Sequence, residues 1–443
     1  MSRPEVGTAS VLWRFAPMIY GPTLLFGLAE GALLPVLPVI ATRLGATVPQ
    51  AALIAAAIVV ARMIGNIPAG WLVDRIGERS TMAVAAGAAM VGAAGILLAP
   101  NLVVLGVSVF GVGFCAAAFG LARHAFMTTR APLAYRARAL SLLGGSFRLG
   151  MFAGPFVAAG LLTLFDDPLA TAWFFIGCLV ALVLLVLLGR DPESELDALG
   201  MLPHAQPHTA STPVSATTTP AAEREGVFAT MWRFRGMLAR LGLAAATLSG
   251  IRQARIYLLP IWGVSIALDA EAISLVVGVT GALEFALFYS SGQIMDRWGR
   301  LWASMPSMLL MGASFLALAF THDLPDAVTW FLVAAIGVGI GNGLSSGVLM
   351  TLGADVAPRA DPAAFLGSWR LLTDAGAAAA PLLIAGVSAV ASLSIATGLI
   401  GVIGLLGAVG FQRSVPRYVP HRPRHRPAGT TPADPGRPDE NVA

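Results

Sequence analysis

Residues 65 to 80 read Gly65-Asn66-Ile67-Pro68-Ala69-Gly70-Trp71-Leu72-Val73-Asp74-Arg75-Ile76-Gly77-Glu78-Arg79-Ser80. The stretch closes one long apolar run and opens the next, and it crowds glycine and charge into a short turn. A turn of this kind between two membrane-length segments lies on the cytoplasmic side when arginines set the orientation. The same pattern returns, weakened, as Gly292-Gln-Ile-Met-Asp296-Arg297-Trp-Gly299-Arg300. The offset, 296 − 74 = 222 residues, is about half of the 443-residue chain.

Composition extends this local reading to the whole chain. Only 12% of residues are charged and 56% are hydrophobic, against roughly a quarter charged in soluble domains. Most of the chain therefore cannot face water, and a lipid bilayer is its solvent. Every basic side chain is arginine, and the net charge of +4 is spread over several loops. That is no nucleic-acid footprint. Cys115 and Cys178 fall inside apolar runs at a spacing that matches no metal or redox motif, so both read as packing residues.

Segments near 20 residues, enough to cross a hydrocarbon core of about 30 Å, can be placed twelve times. They cover 15–41, 50–72, 80–99, 102–124, 140–164 and 170–189, then 240–266, 272–294, 301–320, 328–353, 364–390 and 393–411. The first run is too long for a cleaved leader and reads as a retained span. One set of loops holds Arg75, Arg79, Arg130, Arg136, Arg138, Arg190, Arg297, Arg300 and Arg359. The opposite set holds Arg43 with Asp166, Asp167, Asp269, Glu271, Asp323 and Asp326. This bias predicts a multi-pass protein of the cell membrane with both termini cytoplasmic.

Between the two sets of six spans the sequence turns to acids, Thr, Ser, Ala and Pro, which cannot bury enough apolar surface to order. The expected organisation is an N-terminal six-helix bundle (1–190), a flexible cytoplasmic linker (191–236), a C-terminal six-helix bundle (237–412) and a disordered cytoplasmic tail (413–443). The 222-residue offset aligns Pro38 with Pro260, and Gly145-Ser-Phe-Arg148-Leu with Gly367-Ser-Trp-Arg370-Leu. It also aligns Glu30 with Arg252 and Arg62 with Glu284, one acid and one arginine in each half with their signs exchanged.

If the first hairpin turns near Ala46, Glu30 and Arg62 lie 16 residues to either side and sit at a similar height; the same holds for Arg252 and Glu284 about Leu268. Charges at membrane depth cost several kcal/mol or more unless paired or facing a watered cavity, so they mark either structural ion pairs or a transport path. Arg370 has Asp374 one turn along its own segment. Arg148 has no such neighbour and must find an acid, a carbonyl, water or an anionic ligand elsewhere. Arg255 and Gln253 read as polar groups one face away from Arg252, and Arg123 with His124 as residues snorkelling at a segment end.

The turn Gly70-x-x-x-Asp74-Arg75-x-Gly77-x-Arg79 closely resembles the loop between helices 2 and 3 of the major facilitator superfamily of transporters. The resemblance implies an all-α membrane protein of twelve transmembrane helices in two pseudo-symmetric bundles, working by alternating access. Gly70, Asp74, Arg75, Gly77 and Arg79, echoed by Asp296 and Arg297, would form a conformational latch, with Asp361-Pro362 opening helix 11 beside it. Gly150-x-x-x-Gly154-Pro155 resembles, incompletely, the helix-5 motif of antiporters of this superfamily. The superfamily's helix-4 arginine would fall near Val107 and is absent there.

These resemblances imply proton-coupled export of a small drug-like or amphipathic molecule by a monomer, with helices 1, 4, 7 and 10 lining the cavity. Glu30, Arg252 and Asn342 would be polar contacts there, and Arg62, Arg148, Glu284, Arg370 and Asp374 would join the proton or substrate path. The intramembrane arginines motivate an alternative, carriage of an organic anion in either direction. No Ser-His-Asp set, His-rich cluster or nucleotide loop appears in the cytoplasmic segments, so neither an enzyme nor a cofactor or metal is expected.

Overall fold

A computed structural model describes residues 16–130, 136–189, 227–358 and 362–419. Twelve helical spans follow in order: α1, in two pieces, Gly21–Leu33 and Leu37–Arg43; α2, Val48–Ile76; α3, Glu78–Leu97; α4, Leu102–Arg130; α5, Arg136–Phe165; and α6, Ala170–Leu188. The second set is α7, Leu243–Ser265; α8, Ala270–Trp298; α9, Arg300–Ala319; α10, in two pieces, Ala327–Leu344 and Val348–Val356; α11, Pro362–Val390; and α12, Leu393–Tyr418. Ten of these are long and apolar enough to span a membrane, and α1 makes an eleventh through a 43° bend. The twelfth, α7, has 23 residues, but Arg252, Gln253 and Arg255 lower its apolar character.

Helix boundaries follow from local chemistry that the two halves share. At the start of α2 the Thr47 backbone N–H donates to Gln50 Oε1 at 2.9 Å, within a reciprocal capping box. The equivalent Asp269 caps α8 by accepting the Ala272 N–H at 2.7 Å. Both helices end on glycines with φ of 80° at Gly77 and 95° at Gly299, a region that side chains with a Cβ avoid. That conformation lets α3 and α9 start within one residue of the turn. The break in α1 falls at Leu34-Pro35-Val36, where proline supplies no N–H.

Packing repeats as well. In the first half α1 packs on α5 and α6, α2 on α4, and α3 on α4 and α6; in the second, α7 packs on α11 and α12, α8 on α10, and α9 on α10 and α12. Close approach of α1 and α5 needs small residues. A Cβ at Gly154 would meet the backbone of Gly31 and Ala32, and one at Gly150 the backbone of Leu24 and Leu28. The outer faces expose large apolar side chains such as Val91, Leu98, Leu164, Leu188 and Phe320, as lipid contact requires.

The halves meet through α5 against α8 and through the equivalent α11 against α2. On the first seam Phe152 stacks on Phe285 with centroids 5.5 Å apart, and the Phe156 ring covers Gly278. On the side of the arginine-bearing loops the helices part. Arg370 and Asp374 lie eight and twelve residues inside α11, yet their side chains are 79% and 64% exposed. Charges at that depth face water, so a cleft opens toward those loops.

Two segment boundaries differ from the sequence expectation. The expected linker, 191–236, falls mostly outside the described residues, but its end is helical at Val227–Arg233. This short helix packs on α11, and Phe234, which follows it, meets Phe365 edge-on at 5.3 Å. Its sequence, V-F-A-T-M-W-R, is apolar enough to dock. The expected tail from 413 begins later, because α12 continues to Tyr418 with Ser414 and Val415 buried. The rest of the tail and Asp361 lie outside the described residues.

Candidate functional site

The site is built from charges at the midpoints of long helices. Arg62 lies 14 residues from either end of α2, and Glu284 14 residues from either end of α8. At 1.5 Å per residue that is about 21 Å of helix on each side. In the N-terminal half Arg62 Nη2 donates to Glu30 Oε1. The Glu30 side chain is 6% exposed and that of Arg62 33%, so the acid faces the bundle and the base reaches the cleft.

Arg123 joins this pair, against the expectation that it snorkels at a helix end. Helix α4 runs on to Arg130, which places Arg123 seven residues, about 10 Å, inside it. Its guanidinium lies over the Phe147 ring at 4.7 Å and the Phe119 ring at 5.6 Å. The charges of Glu30 and Arg62 act on it there. From the opposite half Tyr257 of α7 comes within electrostatic reach of Glu30 and Arg62, and Gln253 Nε2 donates to its hydroxyl at 3.4 Å.

The C-terminal half holds a triad rather than the expected pair. Arg255 Nη2 donates to Glu284 Oε2 at 2.8 Å, while Arg252 Nη2 stands 3.8 Å from Oε1. Residues three apart on a helix share a face, so both arginines reach the same acid. Arg252 is drawn away because its Nη1 donates to the Ser345 carbonyl at 3.2 Å. That carbonyl belongs to the break in α10, where Ser291 Oγ also donates to Leu344 O at 2.7 Å and Ser346 O at 2.8 Å. Asn342, at the same break, is buried beside Glu284.

Arg148 finds an aromatic face instead of an acid. From α5 it lies over the Phe288 ring of α8 at 4.8 Å, across the seam, and its charge acts on Glu284 and Arg252. Farther toward the arginine-bearing loops Arg370 Nε pairs with Asp374 Oδ2 at 3.6 Å along α11, and His124 of α4 is close enough to feel Arg370. The cleft groups Arg62, Arg123, Arg148, Arg252, Arg255 and Arg370 thus outnumber the acids Glu30, Glu284 and Asp374. Such an arrangement can hold an anion between the halves.

Among the described residues, the contacts of the two charged turns fall within their own halves. Arg79 caps the end of α6, donating from Nε to Val186 O at 2.8 Å and from Nη2 to Leu187 O at 2.8 Å and Gly189 O at 2.9 Å. Arg75 lies over Trp71, Arg297 over Trp298, and Asp74 is exposed. A Cβ at Gly70 would make only an ordinary contact, with the Leu121 side chain at 3.9 Å. Asp296, 83% exposed, pairs with Arg300 at 3.4 Å.

A third sign exchange escaped the sequence reading. Glu78 Oε2 stands 3.8 Å from Arg130 Nη2, and its counterpart Arg300 donates from Nε to Asp355 Oδ2 at 2.8 Å. The offset is 222 for the first member and 225 for the second, because the turn between α9 and α10 is three residues longer than that between α3 and α4. Applying the wider offset along α10 would have found it.

Two six-helix bundles, a buried charged centre and a cleft open to one side define a multi-pass membrane transporter. The chain belongs to the Major Facilitator Superfamily, which matches residues 22–381 and again 241–437. Among curated proteins none matches in sequence. Among solved structures, an auto-inhibited POT family peptide transporter aligns with TM-score 0.69 and 14% identity, over 94% of this chain and 99% of that one. A POT family transporter in complex with a thioalcohol-conjugated peptide aligns at 0.67 and 16%, over 92% and 96%. Another, in complex with 5-aminolevulinic acid, aligns at 0.66 and 16%, over 91% and 95%. At these identities the likeness is one of fold.

Proposed function

We propose that this protein carries a small molecule with an anionic group across the cell membrane by alternating access, coupled to protons through Glu30. The observation that carries this reading is the surplus of arginine over acid along the cleft. Arg148 from one half and Arg252 from the other flank the seam, so an anion bound to both favours closing the halves over it. Protonating Glu30 dissolves its ion pair and leaves Arg62, which reaches the cleft, as a further cation for that anion. The substrate is then held most tightly when the proton is aboard. In this reading the monomer works with both termini in the cytoplasm, 191–226 links the halves, and the charged turns latch them when the cleft opens to the other side.

Export of drug-like or amphipathic molecules by proton exchange is the second reading. It is favoured by the tight packing of Gly150 and Gly154-Pro155 against α1, the motif that resembles antiporters. The test is transport in proteoliposomes with a pH gradient, comparing carboxyfluorescein as the anionic probe with ethidium as the cation. Anion transport that falls in Arg148→Ala and Arg252→Ala supports the first reading. Ethidium transport indifferent to both substitutions overturns it in favour of the second.

A further inference from the structure

Beside the Glu30–Arg62 pair the N-terminal bundle holds a small cavity between α1, α2, α4 and α6. Its walls are otherwise apolar, with Leu34, Ile58, Ala116 and Phe175 among them, and it has room for one water molecule. Two buried polar atoms of the pair, Glu30 Oε2 and Arg62 Nε, have no hydrogen-bond partner in the protein. Buried polar groups left so cost about 1–3 kcal/mol each, and a water in this cavity answers both. It accepts from Arg62 Nε–H and donates to Glu30 Oε2.

We propose that this cavity is a water site through which Glu30 gains and loses its proton at Oε2, the carboxylate oxygen that Arg62 Nη2 does not hold. The remaining groups around Glu30 do not compete for the role. Arg62 of α2 holds the other carboxylate oxygen, Arg123 of α4 is a cation, and the Tyr257 hydroxyl of α7 is engaged by Gln253; α6 contributes the Phe175 ring. When the water delivers a proton to Oε2, the carboxylate becomes a neutral acid whose O–H donates back to the water. The water is made whole by a proton from solvent, and Arg62 keeps its charge. The transfer needs no other reactant.

The inference rests on the reading of Glu30 as the proton carrier, and the experiment separates the two. Infrared difference spectra of the detergent-purified protein, taken between high and low pH, report the protonated carboxyl band, which Glu30→Gln assigns by removing it. Transfer into D2O then times the exchange of that carboxyl proton. Ala116→Leu and Leu34→Phe each fill the cavity without touching a charge. The expected result is a band shift at least tenfold slower in either plugged protein than in the wild type, with Ala116→Ser, which leaves the space open, exchanging at the wild-type rate. Wild-type exchange in whichever plugged variant folds overturns the water site. A band unaffected by Glu30→Gln overturns the role of Glu30 itself.

Discussion

The two halves place one acid each at the same depth, yet they treat it differently. Glu30 is held by one arginine on one oxygen, with its other oxygen buried and without a protein partner beside a small cavity. Glu284 is gripped by Arg255 at 2.8 Å, with Arg252 at 3.8 Å and Arg148 acting across the seam. Three guanidiniums thus surround the one carboxylate, and a single guanidinium bonds the other. Duplication supplied the same scaffold twice, and its charges then diverged; the function proposed above gives the proton to the first half and the anion to the second.

The largest effect expected from this contrast is on stability. Glu284→Ala strips the acid from two partly buried arginines and should cost up to about 3–5 kcal/mol, the range for breaking a buried ion pair from one side. Glu30→Gln should cost less, about 1–2 kcal/mol, because an amide still accepts a hydrogen bond and the freed Arg62 can draw water from the cleft. It should nonetheless abolish the response of transport to a pH gradient. Thermal unfolding in detergent and gradient-driven uptake of carboxyfluorescein check both. Equal losses of stability in the two variants would erase the proposed division.

Next comes Arg148. Its guanidinium is the first half's contribution to the charge around Glu284, and no acid on its own helix shields it. Arg148→Ala should weaken the apparent affinity for carboxyfluorescein roughly 10- to 100-fold, the equivalent of a charged hydrogen bond of about 1.5–3 kcal/mol. Arg148→Lys should recover only part of this, since an ammonium lacks the planar face that lies over Phe288. Full recovery would mean that charge alone matters and that the aromatic seat is incidental.

Much of this was legible in the sequence because it rests on one-dimensional regularities. Apolar segments of membrane length, the bias of arginines among loops and a 222-residue repeat gave twelve spans, two bundles and the paired signs at Glu30, Arg62, Arg252 and Glu284. What stayed hidden depends on where helices end and break. Arg123 looked peripheral because α4 was expected to stop near it, six residues short of Arg130. Arg255 looked one face removed because the pull of the Ser345 carbonyl on Arg252 exists only once α10 breaks. The cavity beside Glu30 has no sequence signature, since it arises where four helices fail to fill the space between them.

Smaller effects should follow from the third pair. Arg300 is 15% exposed and bonds Asp355 at 2.8 Å, whereas Arg130 is 34% exposed and stands 3.8 Å from Glu78. Asp355→Asn should therefore destabilise by about 1–2 kcal/mol, and Glu78→Gln by about 0.5 kcal/mol, in the range of weakly held surface pairs. Denaturation midpoints of the two variants decide the order. The reverse order would show that the first half carries more of its stability at this end than the distances imply.

The smallest effect sharpens the comparison from outside it. Arg370 and Asp374 pair at 3.6 Å along one helix, with both side chains mostly in water. Such i, i+4 pairs contribute about 0.3–0.5 kcal/mol, so Asp374→Asn should leave thermal unfolding nearly unchanged. It does remove one of three acids from a cleft with six arginines, which strengthens the positive potential an arriving anion meets. Carboxyfluorescein transport should therefore rise modestly at low ionic strength, and the gain should fade as salt is added and the Debye length shrinks to about 8 Å near physiological strength. A variant that slows anion transport at every salt concentration would assign Asp374 a direct part in coupling, and the proton would then no longer be the business of the first half alone.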